Sequence, residues 1–125
     1  MRYVTTPFQE STLRRGKSLE QFLGGSALYG ERVISWIELR PVNDCIEVWR
    51  FDAPDIGHTE FCDVYEFGSD ESENPVATLA TPSEALYFAH SQLGADPDRW
   101  VNVSMIDAEY QAYVKAGRPT RLYNF

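Results

Sequence analysis

From Phe51 to Asp98 the 125-residue sequence has no lysine and no arginine. Eleven carboxylates occupy that window: Asp52, Asp55, Glu60, Asp63, Glu66, Asp70, Glu71, Glu73, Glu84, Asp96 and Asp98. Elsewhere the signs nearly balance. Residues 1–50 carry a net charge of +1 and residues 51–125 one of −9; the whole chain, with 19 acidic against 11 basic side chains, carries −8. A direct nucleic-acid binder needs cations to neutralise phosphates. A protein docking on anionic lipid needs them too. Neither class is expected here, and the electrostatic complement of the chain is a basic partner.

Cysteine is scarce as well. Cys45 and Cys62 are too few for a disulfide scaffold. No run of about 18 apolar residues exists to cross a membrane. The opening Met-Arg-Tyr-Val-Thr-Thr-Pro-Phe lacks the apolar stretch of a secretory leader, so the expected compartment is the cytoplasm. Neither a linker nor an internal repeat divides the chain, and residues 1–125 read as a single compact domain.

The familiar chemical motifs are incomplete. Cys45, His58, Cys62 and His90 lack the paired chelate spacing of a zinc site. Gly16-Lys17-Ser18 would end a phosphate-binding loop, but position 11, where that loop needs glycine, is Ser. Residues 68–74 lack the alternating ligand spacing of a calcium loop. The sequence therefore assigns no catalytic residue, metal or cofactor, and leans away from an enzyme.

What the chain does have is apolar and aromatic content, 43% and 14% respectively, enough to build a core. Residues 1–17 read as extended. Ser18-Leu19-Glu20-Gln21 fits a capping box, with Leu19, Phe22 and Leu23 on one face of a short helix closed by Gly24-Gly25. Strands are predicted over 32–40, 45–52 and 61–67, with a fourth over 76–80 and a short one at 100–103. Thr81-Pro82-Ser83-Glu84 predicts a helix start, with Thr at the N-cap, Pro at N1 and Glu at N3. A further helix begins at Ser104 or Asp107 and buries Ile106, Tyr110, Tyr113 and Val114. The tail 120–125 is expected to dock back on the body. The sum is an α+β fold: one antiparallel sheet of about four or five strands, a meander over 32–67, and two or three short helices packed on one face.

Pairing Arg40 with Cys45 across a four-residue turn separates two sheet faces. Ile37, Leu39, Ile46 and Val48 share one. Ile34, Trp36, Trp49 and Phe51 share the other, extended by Phe61, Tyr65 and Phe67, with Glu38, Glu47 and Asp63 among the rings. In that register Glu38 opposes Glu47, an unfavourable pair.

Aromatic anchors ringed by carboxylates have the make-up of a protein-binding hot spot. The expected partner-binding residues are Trp36, Trp49 and Tyr65 as anchors, with Glu60, Asp63, Glu66, Asp70, Glu71 and Glu73 as steering charge. The functional expectation is a small acidic protein-binding module: an inhibitor or immunity-type protein that masks a basic partner such as a nuclease toxin. Two alternatives stand beside it. One is a small enzyme or small-molecule binder with a pocket between the aromatic sheet face and the N-terminal segment. The other is a homodimer that hides the aromatic face.

Overall fold

Apolar residues fall on both sides of three long strands, and this decides the architecture. The computed structural model describes residues 2–28, 30–71 and 74–119. Its centre is an antiparallel meander of β1 (Leu19–Leu28), β2 (Glu31–Val42) and β3 (Cys45–Pro54). Two short pieces, β4 (Asp70–Glu71) and β5 (Ala77–Leu79), pair with opposite ends of β3. A third, β6 (Val101–Asn102), pairs with the start of β1. The result is a single antiparallel sheet ordered β4-β3-β2-β1-β6 with β5 also on β3, in an α+β fold, as the sequence reading has it.

The helices divide between the two faces instead of sharing one. On the aliphatic face, α1 (Thr6–Arg14) and α2 (Pro82–Gln92) bring Leu13, Ala85, Leu86 and Ala89 onto Leu19, Leu23, Ile37, Leu39, Ile46 and Val48. On the aromatic face, α3 (Ile106–Lys115) lays Ile106, Tyr110 and Tyr113 over Phe22, Ile34, Trp36 and Phe51. Both faces of the meander are apolar, so each needs a cover. The aromatic face is thus core under α3, and the N-terminal helix lies on the other side. The N-terminal helix therefore supplies no wall to a pocket on the aromatic face.

Three local readings change. Residues 6–14 are helical, not extended. Leu13 is the one large apolar side chain this helix buries, beside Gln9 and Thr12, so no apolar periodicity advertised it. Residues 19–23 are strand, not helix: Leu19 and Leu23 bury on one face and Phe22 on the other. A bulge between Phe22 and Gly24 and the bare backbone at Gly25 admit the Tyr113 side chain. Residues 61–67 are not a strand. They form a loop with a single 3₁₀ turn, Val64–Glu66, whose Val64 and Phe67 plug the aromatic core. The tail 120–125 lies outside the described residues.

The hairpin register differs from expectation by two residues. Val42 pairs with Cys45 around Asn43-Asp44, and Asn43 takes a φ of 56°. A shift of two keeps every side chain on its face. It places Arg40, not Glu38, opposite Glu47.

A buried polar knot holds α3 in place. The Asp55 carboxylate, fully buried, accepts from the hydroxyls of Tyr110 (2.5 Å) and Tyr113 (3.1 Å) and pairs with Arg118. Arg118 also donates to the Gly57 carbonyl at 2.7 Å. Burial alone would raise the Asp55 pKa, but the bonds from Tyr110 and Arg118 outweigh it and hold the pKa below the usual value. Among the described residues no helix is long and apolar enough to cross a membrane.

Candidate functional site

The strand registers lay down two rows on the aromatic face. The inner row is Phe22, Trp36 and Phe51; the outer row is Glu20, Glu38 and Trp49. The loop after β3 brings Tyr65 and Ser69 beside both rows. Between them lies a cavity of about 240 Å³ lined by Glu20, Trp36, Glu38, Arg40, Phe51, Tyr65 and Ser69.

Each wall has a local cause. Asp63 caps the 3₁₀ turn, its Oδ1 accepting from the Tyr65 backbone N–H at 3.2 Å. With Val64 pinned in the core at 0% exposure, Tyr65 stands over the sheet, 44% exposed. Its ring meets Trp36 edge-on, centroids 6.3 Å apart, and Trp36 stacks on Phe51 at 5.4 Å. Such geometries suit the charge distribution of aromatic rings. The Tyr65 hydroxyl donates to Glu20 Oε1 at 2.6 Å.

Glu20 is the unusual group. It is 3% exposed, directly opposite Glu38 on β2, and no cationic side chain among the described residues pairs with it. Burial pushes its pKa up to about 7. Hydrogen bonds from the Tyr65 hydroxyl and the Ser104 backbone oppose that rise, and repulsion from Glu38 and Asp107 adds to it. Burial and the bond to Glu20 raise Tyr65 in turn. Asp107, at the start of α3, is raised by burial and by Asp63, and its Oδ1 is buried without a hydrogen bond. Glu20, Glu38, Asp63 and Asp107 therefore form one interacting acidic group around Tyr65.

Glu38 differs from Glu20 because the chain supplies its counter-ion. Arg40 donates to Glu38 from Nε (3.2 Å) and Nη2 (2.8 Å), and its guanidinium lies 4.6 Å from the centre of the Trp49 ring. Trp49 Nε1 donates to Glu47 Oε1 at 3.0 Å. Trp36, in the same wall and 1% exposed, carries a second polar mismatch: its buried indole N–H has no acceptor among the described residues. Chemically the arrangement is a small aromatic slot with one carboxylate that no described cation pairs with and one buried donor without an acceptor among the described residues. It is suited to binding a cation attached to a hydrogen-bond acceptor.

The anticipated binding residues scatter. Trp36 is not a surface anchor; it is buried by Phe51, Tyr65 and the α3 layer, and lines the cavity wall. Trp49 is half-buried at the flank. Tyr65 and Asp63 belong to the site, one as wall and one as cap. Glu66 and Glu60 are exposed on the 3₁₀ turn and on the His58–Phe61 turn. Asp70 and Glu71 pair through their backbones with Asp52 and Phe51 in β4. Glu73 lies outside the described residues. The sequence reading missed Glu20, Phe51, Arg40 and Asp107 as site residues. Alternation of Leu19, Gln21 and Leu23 against Glu20 and Phe22 was the signal for Glu20, and the helical reading of that segment hid it.

A second cavity of about 510 Å³ lies between Phe22, Gly24, Ala112, Tyr113 and Ala116, with Arg99 and Glu109 in its wall. Glu109 is already engaged there: Arg2 Nε lies 2.8 Å from it, the Tyr3 hydroxyl donates at 2.8 Å, and Arg99 lies at 3.7 Å. Compared with protein-family models, curated proteins and solved structures, the chain matches none.

Proposed function

We propose that this chain is a small acidic protein-binding module that masks the cationic surface of a basic protein, in the manner of an inhibitor or immunity protein for a nuclease toxin. The observation that carries the reading is Glu20: a carboxylate 3% exposed, among aromatic rings, with no cation among the described residues paired to it. Burying an ionised carboxylate without a partner costs several kcal/mol. A basic partner that inserts a cation offsets this cost and is favoured for that reason. The acidic excess of residues 51–98 supplies long-range attraction and raises the encounter rate. A substrate-like polyanion is repelled by the same field, so the polyanion's own basic binding protein is the fitting target.

The test is affinity capture from the native source with wild-type protein and with Glu20→Gln side by side. The expected result is a basic protein retained by the wild type, released by salt, and bound at least tenfold more weakly by the variant. Retained proteins with no basic bias, or an affinity indifferent to Glu20→Gln, would overturn the proposal.

A further inference from the structure

We infer that the 240 Å³ cavity receives a single arginine side chain of the partner, and that the Trp36 indole N–H takes a peptide carbonyl beside that arginine. This rests on the reading of the chain as a binder of basic proteins and names the group it recognises.

Three observations converge on a peptidyl guanidinium. First, the cavity is smaller than the roughly 300–1,000 Å³ of sites that enclose whole cofactors or drug-sized ligands. It suits one inserted side chain. Second, its wall holds two groups short of a partner: Glu20, a buried carboxylate that no cation among the described residues pairs with, and Trp36, whose buried indole N–H has no acceptor among them. A metal ion or a free amine answers only the first. A residue within a peptide brings a cation and a carbonyl together. Third, the chain already displays the same recognition one step along the face. Arg40 forks onto Glu38 while its guanidinium lies over Trp49. The combination of carboxylate and ring recurs at Glu20 and Tyr65, with no arginine among the described residues pairing with Glu20. A planar, weakly hydrated guanidinium stacks on a ring and bonds a carboxylate at once, whereas an ammonium is a compact, strongly hydrated point charge.

The experiment titrates ¹⁵N-labelled protein at pH 7.5 with three blocked tripeptides, acetyl-Gly-Xaa-Gly-amide, in which Xaa is arginine, lysine or citrulline. The three tryptophan indole N–H signals are followed, with Trp36 assigned through Trp49→Phe and Trp100→Phe. The arginine peptide is expected to shift the Trp36 signal, with lysine at least about tenfold weaker and citrulline weaker still. Glu20→Gln should weaken the arginine peptide at least about tenfold, and Tyr65→Phe should weaken it less while leaving the spectrum otherwise native. Equal binding of lysine or citrulline, or a shift confined to Trp49 or Trp100, would overturn the inference. If the arginine peptide fails while a captured basic protein still binds through Glu20 in a salt-dependent way, only this inference falls and the broader function stands. If both fail, both fall.

Discussion

Replacing Glu20 by Gln should make the protein more stable in neutral and alkaline buffer. Glu20 titrates near 4.5 in the unfolded chain and at about 7 in the fold. The native state therefore holds a proton that the unfolded state has released between those two values. Over that interval stability falls as pH rises, by about 3 kcal/mol in total. Glutamine keeps the shape and can still accept from the Tyr65 hydroxyl, but it never ionises. Its new amide N–H group takes back part of the gain, because a donor without a partner costs about 1–3 kcal/mol when buried. The expected net is a stabilisation of about 1–2 kcal/mol at pH 8.5, roughly 4–8 °C in Tm for a chain of this size. At pH 4 both side chains are neutral and the variant should show no gain. Urea denaturation of both proteins at the two pH values measures it. A difference that does not change between pH 4 and pH 8.5, or a variant less stable at pH 8.5, would refute the argument that burial penalises the ionised form of Glu20. Stability withheld at a position that serves binding is a common pattern.

Other groups give predictions of opposite sign. Asp55→Asn should cost about 3 kcal/mol at pH 7, read by urea denaturation, because it uncouples Arg118 and two tyrosine hydroxyls at a buried carboxylate. The folded pKa of Asp55 lies below its unfolded value, so its contribution is present above the unfolded value and is lost as pH falls through the folded one. His90 is held below its ordinary 6.5 by burial, and its Nε2 accepts from Trp100 Nε1 at 2.9 Å. Below pH 6.5 the unfolded chain gains a proton that the fold resists, so this group's contribution shrinks on acidification; His90→Ala should cost about 1–3 kcal/mol at pH 7 in the same assay and flatten that acid limb. Gly25→Ala should cost more than 2 kcal/mol in thermal melts, since its Cβ would collide with the Tyr113 hydroxyl that bonds Asp55. Gly16→Ala, with open space around it, should cost only about 1 kcal/mol for its φ of +81°.

Legibility followed how local the deciding physics was. The start of α2 was readable because four adjacent residues settle it: Thr81 Oγ1 accepts from the Glu84 backbone N–H at 3.2 Å, with Pro82 at the first helical position. The division of β2 and β3 into an aliphatic and an aromatic face was readable because alternation survives a register error of two. The covering of those faces was not, since it depends on which helix crosses over, a long-range matter. Leu19, Phe22 and Leu23 satisfy a helical spacing and a two-sided strand equally well, and the tertiary partners Trp36 and Leu39 decided for strand. That choice carried Glu20 with it. The Phe61–Phe67 segment has the composition of a strand, yet the Asp63 cap and the burial of Val64 and Phe67 against α3 turn it into a loop.

The charge asymmetry and the buried carboxylate then separate into two tasks. The window from Phe51 to Asp98 supplies charge, yet two carboxylates of the cavity wall, Glu20 and Glu38, come from the nearly neutral first fifty residues. Exposed acids act at a distance and are screened beyond about 10 Å at 0.1 M salt. A desolvated carboxylate acts on contact and is screened far less. On the proposed function, Glu60→Gln with Glu66→Gln, both exposed, should slow association with the basic partner and reduce its dependence on salt, with dissociation nearly unchanged. Glu20→Gln should do the reverse, leaving the association rate and its salt dependence within about twofold and raising the dissociation rate at least tenfold. Surface plasmon resonance between 50 and 500 mM salt, a range of roughly threefold in screening length, separates the two. If Glu20→Gln lowered the association rate as much as the surface pair does, Glu20 would be one more steering charge, and the cavity would have no claim to hold the partner.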